Sequence, residues 1–414
     1  MNIRSYNPEN RWNNWFGNLS CEARIIDVAS EEDMSQAVRR ARSEGLSLRI
    51  AGTGHSNIAL IPNPGVIATT DRLKGLLAHD IQKRTVTVAA GTKIRAMGDM
   101  LWEHGFSLTN QGDIDTQSIA GAVSTGTHGT GIELTNLSAR IRSLRLVDAK
   151  GDLQVLDERD EHRLRAARVS LGMLGAVTAI ELEVSPAYHL HEWLGFMPYA
   201  TAVEIENEMN ARFRHFTYFW CPNAKSERFI SVDGVIREGQ EDIACVRIFH
   251  PEPIEMGELE KYTYRRRYDR SYRIFAEDYV PEFDEMEYMI PLDVGRECFE
   301  ELIRSLHDLF HEIAIPTEVR VTAGDDNFLS EYQGGPRRAI SLAGHINTDN
   351  SRLFRACDEV FARYQGRPHW AKANCMTKER LKQLYPHFDD FVAIRRQMDP
   401  EGMFLNDYLR RWFS

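Results

Sequence analysis

At 414 residues, 43% of them hydrophobic, the chain is long enough for more than one compact unit with an ample core. Fifty basic against sixty-one acidic side chains give a formal charge of −11 at neutral pH, which argues against a nucleic-acid partner, because that partner asks for a basic face. Cys21, Cys221, Cys245, Cys298, Cys357 and Cys375 show no CxxC spacing, so no metal site and no disulfide framework is indicated; with no apolar leader core at the start and no run of membrane-spanning length, a soluble, cytoplasmic protein is expected.

In chain order, Trp12-Asn-Asn-Trp15-Phe16 reads as an aromatic anchor on the surface or under a loop. Residues 22–29 read as a strand. Ser30 then caps a helix with Met34, Ala37, Val38 and Ala41 on one face, and Gly45 ends it. The apolar run 46–50 completes a βαβ unit. Thr85 to Ala90 is a strand, and a helix over 93–104 stops at Gly105. Residues 141–147 and 153–156 form a hairpin, and the strand over 176–184, which includes Val177, ends at Ser185-Pro186.

Beyond that proline the chain is richer in aromatic and charged residues. The run Tyr262 to Tyr268 mixes arginines with tyrosines, but Glu258, Glu260, Asp269 and Glu277 around it indicate a solvated face. A strand is expected over 285–291 and a helix over 294–311. Glu318 and Arg320 alternate on a strand and so share a face; a bare pair of this kind is usually a solvent-facing ion pair. His345 follows in the strand pattern Ser341 to Ile346, where a lone histidine is usually a satisfied core residue. The tail carries a helical pattern through Leu384, Phe388, Phe391, Ile394 and Met398, broken at Asp399-Pro400.

Two stretches carry chemistry. Ile50-Ala51-Gly52-Thr53-Gly54-His55-Ser56 leaves a strand through two glycines that let backbone approach a ligand, and it holds an imidazole in the turn. It is not a dinucleotide fingerprint, since the third glycine is missing and no helical pattern follows. Gly112 to Gly131 packs five glycines and six hydroxyl residues into twenty positions, too polar for core and suited to a flat ring or a pyrophosphate. With these two stretches, Glu318-Val-Arg320, His369-Trp-Ala-Lys372 and the tail Asp399 to Asn406, the chain resembles the vanillyl-alcohol oxidase family of FAD-linked oxidases, in its aldonolactone and alditol oxidase branch.

The resemblance implies an α+β, two-domain architecture: a PCMH-type FAD-binding domain over 1–186, an α/β cap domain over 187–375, and a segment over 376–414 returning to the FAD domain. It implies FAD bound by Ile50, Ala51, Gly52, Thr53, Gly54, His55, Ser56, Gly112, Asp113, Ser118, Gly121, Ala122, Val123, Ser124, Thr125 and Val177, with His55 bonded covalently to the flavin. Glu318, Arg320 and Lys372 would meet a sugar-derived substrate, and His345 joins them as a fourth candidate. Asp113 and Ala343 stand where alditol oxidases carry serine and histidine, which points towards a lactone. Gly112 stands where an alanine is found in plant galactonolactone dehydrogenases, so oxygen is the expected acceptor and hydrogen peroxide the product. The alternatives are a dehydrogenase of the same family using a carrier, a tailoring oxidase of a biosynthetic pathway, and an anion-binding protein without flavin.

Overall fold

The computed structural model describes residues 11–229, 235–277, 283–313, 316–346 and 348–414. The expected βαβ opening forms from β1 (Arg24–Asp27), α1 (Glu31–Ser43) and β2 (Leu48–Ala51), but β3 (Val66–Thr69) inserts between the two strands and pairs parallel with both. The Ser30 hydroxyl caps α1 by accepting from the Asp33 amide at 3.1 Å, and the predicted apolar stripe is buried.

Next come β4 (Leu76–Asp80), β5 (Thr85–Ala89), α2 (Ile94–Glu103), α3 (Ile119–Ser124), β6 (Ile141–Val147), β7 (Leu153–Asp157), α4 (Glu161–Arg168) and β8 (Ala176–Glu183). Their strands make an antiparallel sheet in the order β7-β6-β8-β5-β4, with the expected hairpin at one edge.

A larger antiparallel sheet follows, built from β9 (His189–Pro198), β10 (His215–Asn223), β11 (Glu241–His250), β12 (Thr263–Arg270), β13 (Phe283–Pro291), β14 (Thr317–Thr322), β15 (Arg337–His345) and β16 (Arg367–Pro368). Their order is β12-β9-β11-β10-β14-β15-β13-β16. Period-two alternation gives this sheet two unlike faces. Trp193, Tyr218, Trp220 and Tyr288 are fully buried on one of them. The helices α5 (Tyr199–Arg212), α6 (Leu292–Ile313) and α7 (Ser351–Arg363) cover that side, where Trp220 meets Phe310 edge-on at 5.1 Å and Tyr288 stacks on Phe361 at 4.7 Å.

The other face is polar. Glu318, Ser341 and Glu287 lie in one row across β14, β15 and β13, and Arg247, Thr217 and Arg320 lie in the row beside it. This face meets the glycine-rich loops: Arg247 pairs with Asp113 at 2.9 Å, and Gly131 donates to the Val321 carbonyl at 2.7 Å. The Tyr262–Tyr268 run is therefore only half solvated. Tyr264 and Tyr268 are exposed, whereas Arg265 and Arg267 turn inward onto the buried Glu192 and onto Glu277.

The tail forms α8 (Lys378–Leu384), α9 (Phe388–Met398) and α10 (Asp407–Phe413). The single helical pattern expected through Leu384 to Met398 is two helices, because Pro386 cannot continue the ladder at that point. Residues 402–406 return to β2. Leu48 donates to the Met403 carbonyl at 2.9 Å, and the buried Arg49 guanidinium donates to the carbonyls of Phe404 (2.5 Å), Leu171 (2.6 Å) and Leu60 (2.8 Å). Burial pushes the Arg49 pKa down to about 10, still cationic at any working pH.

Arg49→Met is expected to destabilise the protein by about 2–4 kcal/mol, since three buried carbonyls lose their donor. A urea melt whose midpoint stays unchanged would refute that role. No disulfide joins the six cysteines, and among the described residues no helix is long and apolar enough to cross a membrane.

Candidate active site

An open cleft lies between the two glycine-rich loops, its empty space about 820 Å³ with the part continuous with solvent included. Ile50, Gly52, Thr53, Gly54, His55 and Ser56 line one side. Ser118, Gly121, Ala122, Ser124, Thr125 and Val177 line the other. Thr53 ties the two together: its hydroxyl donates to the Thr116 carbonyl at 2.7 Å and accepts from the Ser118 amide at 3.1 Å. The close approach requires glycine at 52, where a Cβ would lie 1.8 Å from the Ser118 hydroxyl oxygen.

Four residues expected at this site do not line the cleft. Ala51 and Val123 alternate into the core, the former with its carbonyl on the Thr70 amide at 3.0 Å. Gly112 and Asp113 lie instead against His128 and Arg247.

His55 is held by aromatic rings. Its imidazole stacks on Trp15 at 4.2 Å between centroids and meets Phe16 edge-on at 5.0 Å. The tryptophan-rich opening expected as a surface anchor is thus a platform for this histidine. Burial lowers the His55 pKa to about 4, with the Lys372 charge adding to it, so the ring is neutral at physiological pH. Its Nε2 is buried and has no hydrogen-bond partner. A cradle of small residues and an unpartnered neutral imidazole nitrogen at its rim fit a flavin nucleotide.

The HWAK motif arrives from the other side: the Ala371 carbonyl accepts from the Asn57 amide at 2.8 Å, and Ala371 lines the cleft. This turn delivers Lys372 to the polar face of the large sheet. Its Nζ donates to Glu285 at 2.5 Å and to Glu287 at 2.7 Å. Arg320 donates to Glu287 at 2.6 Å and lies 3.4 Å from Glu318. The Glu318–Arg320 pair is therefore buried, not the solvent-facing pair that alternation alone suggests.

Glu287 is the hub of this cluster. Fully buried, it gathers Arg320, Lys372 and the His128 Nε2, which lies at 3.3 Å. Burial would raise its pKa, but Lys372 and Arg320 outweigh that and hold it ionised. Glu318 goes the other way. Burial raises its carboxyl to about 7, with Asp113 and Glu287 adding to the rise against Arg320. Two carboxylates on one sheet face with pKa values driven apart divide into a permanent anion and a group able to take up a proton near neutrality.

His345 is not part of this cluster. It ends β15 opposite Phe283, four residues and so about 13 Å along the strand from Ser341. Sequence reasoning passed over Glu285, Glu287 and His128 as functional groups. The first two were readable, since Glu285-Met-Glu287 repeats the alternation that singled out Glu318 and Arg320, inside a strand whose remaining residues after Asp284 are Met, Tyr, Ile and Pro.

Comparison with known proteins agrees with this geometry. Residues 23–157 match the family described as FAD binding domain, and residues 254–412 match D-arabinono-1,4-lactone oxidase. The chain is 35% identical to the L-gulono-1,4-lactone dehydrogenase of Mycobacterium tuberculosis, over 97% of its own length and 98% of that protein. It is 27% identical to the alditol oxidase of a Streptomyces species, over 96% and 97% of the two chains. In fold it is similar to the cholesterol oxidase of B. sterolicum, with a TM-score of 0.79, 14% identity and 99% of both chains covered.

Proposed function

The chain belongs to the family of FAD-linked aldonolactone oxidoreductases, and on that premise we propose that it oxidises an alcohol carbon of a sugar-derived lactone, or of a related polyol, with FAD seated in the cleft and attached through His55. The observation that carries this reading is the Glu287 cluster: two cations and a titratable carboxyl on one buried sheet face, joined by the Ala371 turn to the cleft that holds His55. The flavin supplies the two-electron acceptor.

The protein's own groups do the rest. Lys372 and Arg320 donate to substrate oxygens and fix the reacting carbon, their charges balanced by Glu285 and Glu287 so that neither strays. Glu318, with its carboxyl at about 7, takes the hydroxyl proton as the carbinol becomes a carbonyl. The helix-backed sheet keeps bulk water from the buried side of the cluster.

The test is anaerobic mixing with a panel of aldonolactones and polyols while flavin absorbance is followed. Bleaching should be fastest with a lactone, and its rate should climb with pH through about 7, because the proton acceptor must be ionised and Glu318 ionises there. No bleaching by any sugar-derived alcohol would end this reading.

For the second half-reaction we propose oxygen, with Lys372 and Arg320 stabilising the negative charge it acquires. The dehydrogenase reading is the one favoured by the name of the mycobacterial relative. Gly112 does not decide between them: a Cβ there would point at the His128 carbonyl, 2.9 Å away, so this glycine answers to backbone packing. Readmitting air after reduction separates the two. Rapid reoxidation marks an oxidase, and slow reoxidation beside fast transfer to a quinone marks a dehydrogenase. A cytoplasmic location belongs to the same proposal.

A further inference from the structure

The helix-covered side of the large sheet, opposite the Glu287 cluster, carries a group of side chains that the proposed reaction does not use. α6 presents His307 and His311 one turn apart, with ring centroids 4.2 Å from each other and 28° between the planes. Asp242, near the start of β11, faces them, and its Oδ1 is 3.9 Å from His311 Nε2. One ligand atom from each of the three lies within 4.8 Å of the others.

Three further observations give this group direction. The His311 Nε2 is buried and has no hydrogen-bond partner. The opposite ring nitrogens face carboxylates: His307 Nδ1 lies 3.3 Å from Asp308, and His311 Nδ1 lies 4.0 Å from Glu241. The Asp242 carboxylate is itself oriented by the Trp220 indole, which donates to Oδ1 at 2.9 Å. Carboxylates behind imidazoles and a donor behind a carboxylate are the outer partners that orient metal ligands.

The backbone departs from regularity on both sides of the group. Leu306, immediately before His307, leaves helical geometry at φ −121° and ψ 16°. Asp242 holds the left-handed region at φ +53°, which is uncommon for a residue other than glycine.

We propose that His307, His311 and Asp242 form a binding site for a divalent ion of the Zn²⁺ class, with water as the fourth ligand. Two imidazoles and one carboxylate suit a borderline ion better than Mg²⁺ or Ca²⁺, which prefer all-oxygen shells. The ligand atoms, within 4.8 Å of one another, would close to the roughly 3.4 Å separation of a tetrahedral zinc shell on binding. The ion pins the end of α6 to the start of β11, in the interior of the sheet, and has no part in the redox step.

The experiment uses flavin-loaded protein stripped with a chelator and titrated calorimetrically with ZnCl₂. One Zn²⁺ per chain should bind, the melting temperature should rise with Zn²⁺ concentration, and Co²⁺ should give tetrahedral d–d bands at wavelengths beyond the flavin absorption. His307→Ala, His311→Ala and Asp242→Asn should each weaken binding by at least about 10–100-fold, the loss that even a ligand's supporting partner causes. Flavin reduction by substrate should stay at the wild-type rate in all three.

Among the described residues, the other side chains close enough to share an ion are His128, Glu287 and His369 at the active site. Binding that survives in the His307→Ala, His311→Ala double variant but disappears in His369→Asn would place the ion there and overturn the proposal. Absence of saturable binding to the wild type would overturn it as well.

Discussion

Arg320→Ala is expected to slow reduction of the flavin by substrate about 10²–10³-fold while leaving flavin content intact. The guanidinium is buried and bridges two carboxylates of unlike character, Glu287 at 2.6 Å and Glu318 at 3.4 Å. Burial would lower its pKa, but Glu318 and Glu287 hold it well above its ordinary value, so it is a fixed cation. Removing it costs the substrate a charged donor, and it leaves Glu287 with Lys372 as its remaining cationic partner.

The Glu318 carboxyl should titrate higher still in that variant, because the charge that favours its ionised form is gone. The pH profile of reduction should move upward together with the fall in rate. Arg320→Lys should recover part of the rate, since it restores charge without the planar fork. Lys372→Ala should fall into the same range. Stopped-flow traces showing normal reduction in both alanine variants would put the chemistry on other residues.

The second large effect concerns attachment. In the unaltered protein, flavin should stay with the polypeptide after acid precipitation and migrate with it as a fluorescent band. In His55→Ala it should appear wholly in the supernatant. A neutral imidazole with an unpartnered nitrogen is chemically ready to form a bond at any pH above about 5, given its pKa of about 4. Trp15 and Phe16 fix the ring so that little entropy is lost in reaching the cofactor. Flavin released by acid from the unaltered protein would defeat the assignment.

How much of this was readable beforehand follows from which forces act locally. The glycine loops, α1 with its cap, the β6–β7 hairpin and the shared face of Glu318 and Arg320 all rest on spacing within a few residues, and each formed as read. Glu287 as the hub was not readable in that way. Its importance comes from Arg320 and Lys372, 33 and 85 residues further along the chain, the first reaching it across the intervening strand β15 and the second from the turn beyond β16.

Trp15 shows the same limit, since ring stacking on a residue 40 positions away leaves no mark on local pattern. The split between α8 and α9 is a different matter. Pro386 is visible in the sequence, and the apolar periodicity that runs across it cannot outweigh its missing amide.

The contacts of Arg49 have a consequence for how the enzyme comes into being. One of this residue's carbonyl partners, on Phe404, lies 355 residues downstream. Neighbouring Leu48 likewise waits for Met403, and the Asn57 amide waits for Ala371. The nascent polypeptide can form the first strands and helices while translation continues, but the wall around His55 stays unfinished until residues 371–404 have been made. The cradle for the flavin is then closed by the tail, and capture of the cofactor waits on the segments that hold Ala371, Met403 and Phe404.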